Sequence, residues 1–167
     1  VSMVLARQSH GGSEMTKTGS STLLLSLGDR ESRVKLTEED GVSREFVLAL
    51  GLDAMTPGPF RRDPPTPLEL EQAIMVVEDV LMPLAAHVPP HPLVELHSPV
   101  PLAEALGSHE LSRESIERLF GQLVAMVEGD PLASAQLPRD RRFAAALLIL
   151  REWMHHLDAG SVALVDQ

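Results

Sequence analysis

Three histidines lie close together in a proline-rich segment of the sequence. They are His87, His91 and His97, with Glu95 between the last two. Imidazole and carboxylate groups are donors that zinc, nickel and iron accept in proteins. His87 and His91 are four residues apart, but two intervening prolines exclude the helix that would place both rings on one face. The sequence therefore offers a metal site on a loop as a hypothesis, whereas hydrogen-bonded or solvated loop histidines are the interpretation that we favour.

A second group consists of arginines at the predicted start of the last helix, namely Arg139, Arg141 and Arg142. Cations at this end oppose the helix dipole, so a nearby anion is expected to offset them. Residues 61–138 carry twelve acidic and four basic side chains. We therefore favour carboxylates of this chain or of a second subunit as the partners. A bound anionic ligand, such as a phosphate, is the alternative.

Trp153 and Met154 form a predicted subunit contact on the same helix. Trp153 is the one tryptophan of the chain and lies beside the main apolar stripe of the helix. A lone indole with a polar N–H is enriched at interfaces, and thioethers adapt to irregular partner surfaces. Filling the core is the default interpretation for the methionines of a chain with so few aromatic residues, and it is also the alternative for Trp153.

Glu152 and His155 form a Glu-x-x-His pattern on this helix. Di-metal helical bundles require two such motifs and two further glutamates, and the sequence has no second motif. His155 and His156 lie in the last turn, where the negative end of the helix favours imidazolium. We therefore interpret both histidines as partners of the helix dipole.

The sequence contains no motif that identifies a catalytic group. It lacks the Gly-x-Ser-x-Gly elbow, glycine-rich phosphate loops and the His-Glu-x-x-His zinc motif. Adjacent carboxylates such as Glu38 and Glu39 point in different directions on a strand or a helix, so they do not form an acid–base pair. No catalytic residue and no cofactor is predicted.

Composition limits the class of protein. The 167 residues are 44% hydrophobic and 3% aromatic, with a formal charge of −10 and no cysteine. The absence of cysteine excludes disulfides, thiolate zinc sites and Fe–S sites. The negative charge argues against nucleic acid as a partner, and no apolar stretch reaches the ~20 residues of a membrane span. A cytoplasmic protein with no membrane partner is expected.

Three strands are predicted near the start of the chain, at residues 22–27, 33–37 and 44–50. Val34 and Leu36 alternate with polar residues in the second strand, and Asp40-Gly41 before the third is a hairpin signal. These segments predict a three-stranded antiparallel meander. Such a sheet requires a cover on its apolar face.

Three main helices follow. Thr66, Pro67 and Glu69 predict the capping box of the first, and Pro83 is expected to end or kink it near Met82. The second spans about residues 113–127 and the last about residues 141–157. A short helix is predicted at residues 102–106. The last helix is apolar on several sides, so we expect it to be central.

The sequence thus predicts an α+β fold in which three main helices pack on a meander. Residues 22–160 are expected to form one domain, with a flexible tail or leader at 1–21 and a C-terminal tail at 161–167. We predict a non-catalytic interaction or regulatory protein, acting as a homodimer or with a protein partner. The alternative is a small enzyme or anionic-ligand-binding domain that uses the arginines or the histidine loop.

Overall fold

A computed structural model describes residues 4–10, 20–53 and 60–166. This part of the chain contains seven strands and five helices. The strands are β1 (Val4–His10), β2 (Thr22–Ser26), β3 (Ser32–Thr37), β4 (Val42–Leu48), β5 (Leu93–Ser98), β6 (Glu110–Ser112) and β7 (Ser161–Asp166). The helices are α1 (Pro67–Ala85), α2 (Leu102–Leu106), α3 (Arg113–Val127), α4 (Pro131–Ser134) and α5 (Arg141–His156).

Strands β2, β3 and β4 form the antiparallel meander that the sequence predicts. Gly41 in the β3–β4 turn has a φ of 85°, a backbone conformation that residues with a Cβ rarely adopt. Leu23 and Leu25 of β2 pair with Leu36 and Val34 of β3, and all four side chains are buried. The α+β class and the meander, with helices packed on it, are therefore confirmed.

The sheet extends further than the sequence predicts. Its strand order is β1-β4-β3-β2-β5-β7-β6, with β5 parallel to both β2 and β7. Strands β1 and β7 lie in the segments predicted to be tails, whereas residues 11–19 of the first tail lie outside the described residues. Strand β1 pairs with β4, and strand β7 pairs with β5, in each case far away in sequence. The sequence pattern within each short strand therefore did not predict it.

Helix α1 begins at the predicted capping box. Thr66 Oγ1 accepts a hydrogen bond from the Glu69 backbone N–H, and the Thr66 N–H donates to Glu69 Oε1, each over 3.2 Å. Burial alone would raise the pKa of Glu69, but hydrogen bonds from the backbone N–H groups of Arg61 and Thr66 outweigh it, so the pKa is lowered. The helix continues through Pro83 to Ala85, since the missing N–H affects only its last turn while Leu84 is fully buried.

Helix α5 lies in the centre of the core. Every side chain from Phe143 to Leu150 is buried, and both α1 and α3 pack against the helix. This burial agrees with the prediction of a central helix, which was based on its apolar character on several sides. Within the described residues, no helix combines the length and the hydropathy that crossing a bilayer would require.

Candidate functional site

Two chain segments meet at the carboxyl end of β2. The Leu52 N–H donates to the Gly28 carbonyl over 3.0 Å, and the Asp53 N–H donates to the Asp29 carbonyl over 2.9 Å. The buried Ser32 hydroxyl adds a 2.8 Å hydrogen bond to the carbonyl of Leu50. The β2–β3 turn is therefore fixed against the chain that follows β4.

Arg142 in the first turn of α5 binds both segments. Its Nη2 donates to Asp29 Oδ1 over 2.8 Å, and its Nη1 donates to Asp53 Oδ2 over 2.7 Å. The hydrogen bond with Asp29 raises the pKa of Arg142, and it outweighs the opposing effect of burial. The guanidinium group thus holds the two segments to the central helix.

The start of α5 receives carboxylates from its own chain. The Asp140 side chain accepts from the Arg142 N–H over 2.9 Å, and the Asp63 side chain accepts from the Arg141 N–H over 2.7 Å. These anions occupy backbone donors of the first turn and compensate the nearby arginines. At Arg142 the structure therefore contains pairs with carboxylates of the same chain, which is the interpretation that the sequence favours.

Five other arginines surround this helix start, and we name them the arginine rim. They are Arg30, Arg61, Arg62, Arg139 and Arg141, and all are exposed. Arg30 follows Asp29, Arg61 and Arg62 precede Asp63, and the other two flank Asp140. Among the described residues, no carboxylate lies within 4.0 Å of a rim guanidinium group. In the described part of the chain, the five rim guanidinium groups are therefore exposed and without a close carboxylate.

The Arg142 contacts lead to a first prediction. Arg142→Ala should lower the free energy of unfolding by about 1–2 kcal/mol, because two charge-assisted hydrogen bonds are lost at a partly exposed site. Urea denaturation measures the change. Arg118→Ala is the control, since Arg118 is exposed on α3 and makes no ion pair with the described residues. An equal loss in both variants would contradict the role of Arg142.

The structure does not bring the three loop histidines together. The His87 ring lies 5.7 Å from the Phe46 ring, and His91 Nδ1 lies 3.8 Å from Asp158 Oδ2. His97 Nε2 is 2.7 Å from Glu95 Oε1 on β5. Each histidine thus has a different neighbour, so the predicted metal site at His87, His91 and His97 is not formed.

The interface predicted at Trp153 and Met154 is also corrected. The Trp153 side chain is fully buried and Met154 is 1% exposed. Both residues pack in the core of their own chain, so neither offers a surface to a second subunit. With few aromatic residues available, this tryptophan is the largest fully buried side chain of the described core.

A different set of possible metal ligands lies between α1 and α5. It contains Glu78, Glu152 and His156, whose ligand atoms all lie within 4.8 Å of one another. The sequence pattern drew attention to Glu152 but paired it with His155. The i,i+4 spacing of Glu152 and His156 is the signal that could have identified the pair, because it places both residues on one helix face.

No family model matches the chain, and no curated protein matches it in sequence. Solved structures do match its fold. The chain shares its fold with Ppx/GppA phosphatases. An Aquifex aeolicus PPX-GPPA enzyme matches with a TM-score of 0.65 at 13% identity, over 90% of this chain and 55% of its own length.

Two further structures agree with this likeness. An exopolyphosphatase-like protein matches with a TM-score of 0.65 at 14% identity, over 88% of this chain and 55% of its own. An exopolyphosphatase from Cytophaga hutchinsonii has a TM-score of 0.59 at 14% identity, over 89% of this chain and 54% of its own. The chain thus spans about half the length of these structures.

These comparisons correct the predicted function. The proteins that share the fold are enzymes, so the prediction of a non-catalytic interaction or regulatory protein was wrong. The error came from treating the lack of local catalytic motifs as evidence against an enzyme. At 13–14% identity the likeness establishes the fold alone.

Proposed function

We propose that the chain binds phosphate-rich anions and forms part of an enzyme that hydrolyses them. The observation that carries the proposal is the likeness in fold to Ppx/GppA phosphatases, which extends over nine-tenths of this chain. Because the chain spans 55% of that enzyme's length, we assign it the binding of the anion rather than the complete reaction. The proposed substrate class is polyphosphate, after the named exopolyphosphatases.

The arginine rim is the proposed binding surface. Ligands of open α/β sheets bind beyond the carboxyl ends of the parallel strands, and the β2–β3 turn leaves the sheet at such an end. Guanidinium groups present forked donors that fit phosphate oxygens. Asp63 and Asp140 already occupy backbone donors at the start of α5. The exposed guanidinium groups are therefore the donors that we expect an anion to use.

Titration calorimetry with inorganic polyphosphate tests the proposal. We expect wild-type protein to bind, and Arg139→Glu/Arg141→Glu to weaken binding at least tenfold through lost charge-assisted hydrogen bonds. Glutamates in these positions suit the positive end of a helix, so folding should be retained. Arg118→Glu changes the charge on the distant helix α3 and is the matched control.

Two outcomes would contradict the proposal: no binding by the wild-type chain, or equal weakening by the control. Added salt should also weaken binding, because exposed ion pairs are screened.

A cytoplasmic location, a homodimer and the lack of nucleic-acid or membrane partners stay predictions from the sequence.

A further inference from the structure

Glu152 is a carboxylate in the apolar centre of the chain. Its side chain is fully buried on α5, between residues that form the core. Burying a charge without partners is costly, so the contacts of both oxygens matter. Oε1 accepts a short hydrogen bond from Arg151 Nη1, and Oε2 lies 3.2 Å from His156 Nε2. The two oxygens therefore have separate partners.

Glu78 of α1 completes a group of three ligand atoms. Its Oε1 lies 3.5 Å from His156 Nε2, on the side of α5 that faces α1. Bonds of about 2.0–2.2 Å in a tetrahedral zinc site place neighbouring ligand atoms about 3.3–3.6 Å apart. The separations of 3.2 and 3.5 Å around His156 Nε2 are close to this spacing.

The charges around the cluster favour a cation. The Arg151 guanidinium pairs with two carboxylates, those of Glu117 and Glu152, and the carboxylate of Glu78 lies beside His156 as a third. Arg151 Nε also donates to Glu117 Oε1 over 3.2 Å, while its Nη1 donates to Glu152 Oε1, so Glu152 Oε2 is the oxygen that faces His156 Nε2. Such outer contacts orient metal-binding carboxylates.

The cluster is accessible from solvent. The side chain of Glu78 is 43% exposed and that of His156 is 18% exposed, whereas Glu152 lies behind them. A cation can enter on this side, and water can complete its coordination. One nitrogen and two carboxylate oxygens suit zinc and related first-row divalent ions.

From these contacts we propose that Glu78, Glu152 and His156 bind one divalent first-row transition-metal ion, which links α1 to α5. The ligands are Oε1 of Glu78, Oε2 of Glu152 and Nε2 of His156. The site is independent of the arginine rim and of phosphate binding. It uses His156 rather than the loop histidines His87, His91 and His97.

Titration of chelator-treated protein with zinc chloride tests the site. We expect one ion per chain and a melting temperature raised by about 5–10 °C at a hundredfold excess over Kd. Glu78→Gln and His156→Gln should each weaken binding at least tenfold. Both side chains are partly exposed, so these variants should fold without zinc.

Matched controls lie on the same two helices. Glu71→Gln removes an exposed carboxylate from α1, and His155→Gln removes the neighbouring exposed imidazole from α5. Both should bind zinc as the wild type does. The absence of stoichiometric binding would overturn the proposal. Binding that survives Glu78→Gln and His156→Gln but is lost in His91→Gln would also overturn it, because the ion would then lie at the histidine loop.

Discussion

Replacing Trp153 with alanine is expected to lower the free energy of unfolding by about 3–5 kcal/mol. The side chain is fully buried, and it is the largest in the described core. Removing it takes a large apolar area from the protein interior and leaves a cavity against α5. Domains of ordinary stability have about 5–15 kcal/mol in total, so this loss is a large part of the free energy of unfolding.

Circular dichroism during urea denaturation measures this change, because Trp153 is the only tryptophan and its loss removes the fluorescence signal. Trp153→Phe is the comparison. Its ring keeps much of the apolar contact, and it removes an indole N–H that has no hydrogen-bond partner among the described residues. We expect the phenylalanine variant to lose less than half as much stability. An alanine variant as stable as the wild type would refute burial of this residue.

The same residue shows what the sequence could and could not predict. The apolar periodicity of α5 indicated a central helix, and the structure agrees from Phe143 to Leu150. Periodicity does not say whether Trp153 beside the stripe faces the core or a partner. That choice depends on α1 and α3, both of which pack against the helix.

The sheet was predictable only where its contacts are local. The β3–β4 hairpin closes through Asp40-Gly41, so its pattern is present within a few residues. Strand β2 pairs with β5, whose partners lie about seventy residues later, as in Leu23 with Val94. Parallel pairing of this kind leaves no turn motif in the sequence.

The residues of the candidate site are also brought together by contacts between segments that are distant in sequence. The dipole argument correctly required anions near Arg142, but Asp53 and Asp29 are 89 and 113 residues away in sequence. Their pairing with Arg142 depends on the sheet order. The metal-ligand cluster likewise joins Glu78 of α1 to α5, a contact that only the packing of two helices creates.

Replacing Gly51 with alanine is expected to cost about 3 kcal/mol or more. A Cβ at this position would lie 2.3 Å from the Asp29 carbonyl oxygen and 2.5 Å from the Arg30 amide nitrogen. Both are backbone atoms, so no side-chain rotation relieves the clash. The two segments must separate, which breaks the backbone hydrogen bonds of Leu52 and Asp53 to the β2–β3 turn.

Gly121→Ala is the matched control, with an effect of the opposite sign. Gly121 is exposed within α3, and a Cβ there would meet no atom within 4 Å. Alanine in an exposed helix should raise the free energy of unfolding by about 0.5–1 kcal/mol. Urea denaturation of both variants measures the difference. Equal stability of Gly51→Ala and the wild type would contradict the close approach of these segments. Gly51→Ala should also weaken polyphosphate binding, because the clash displaces the β2–β3 turn, which contains Arg30.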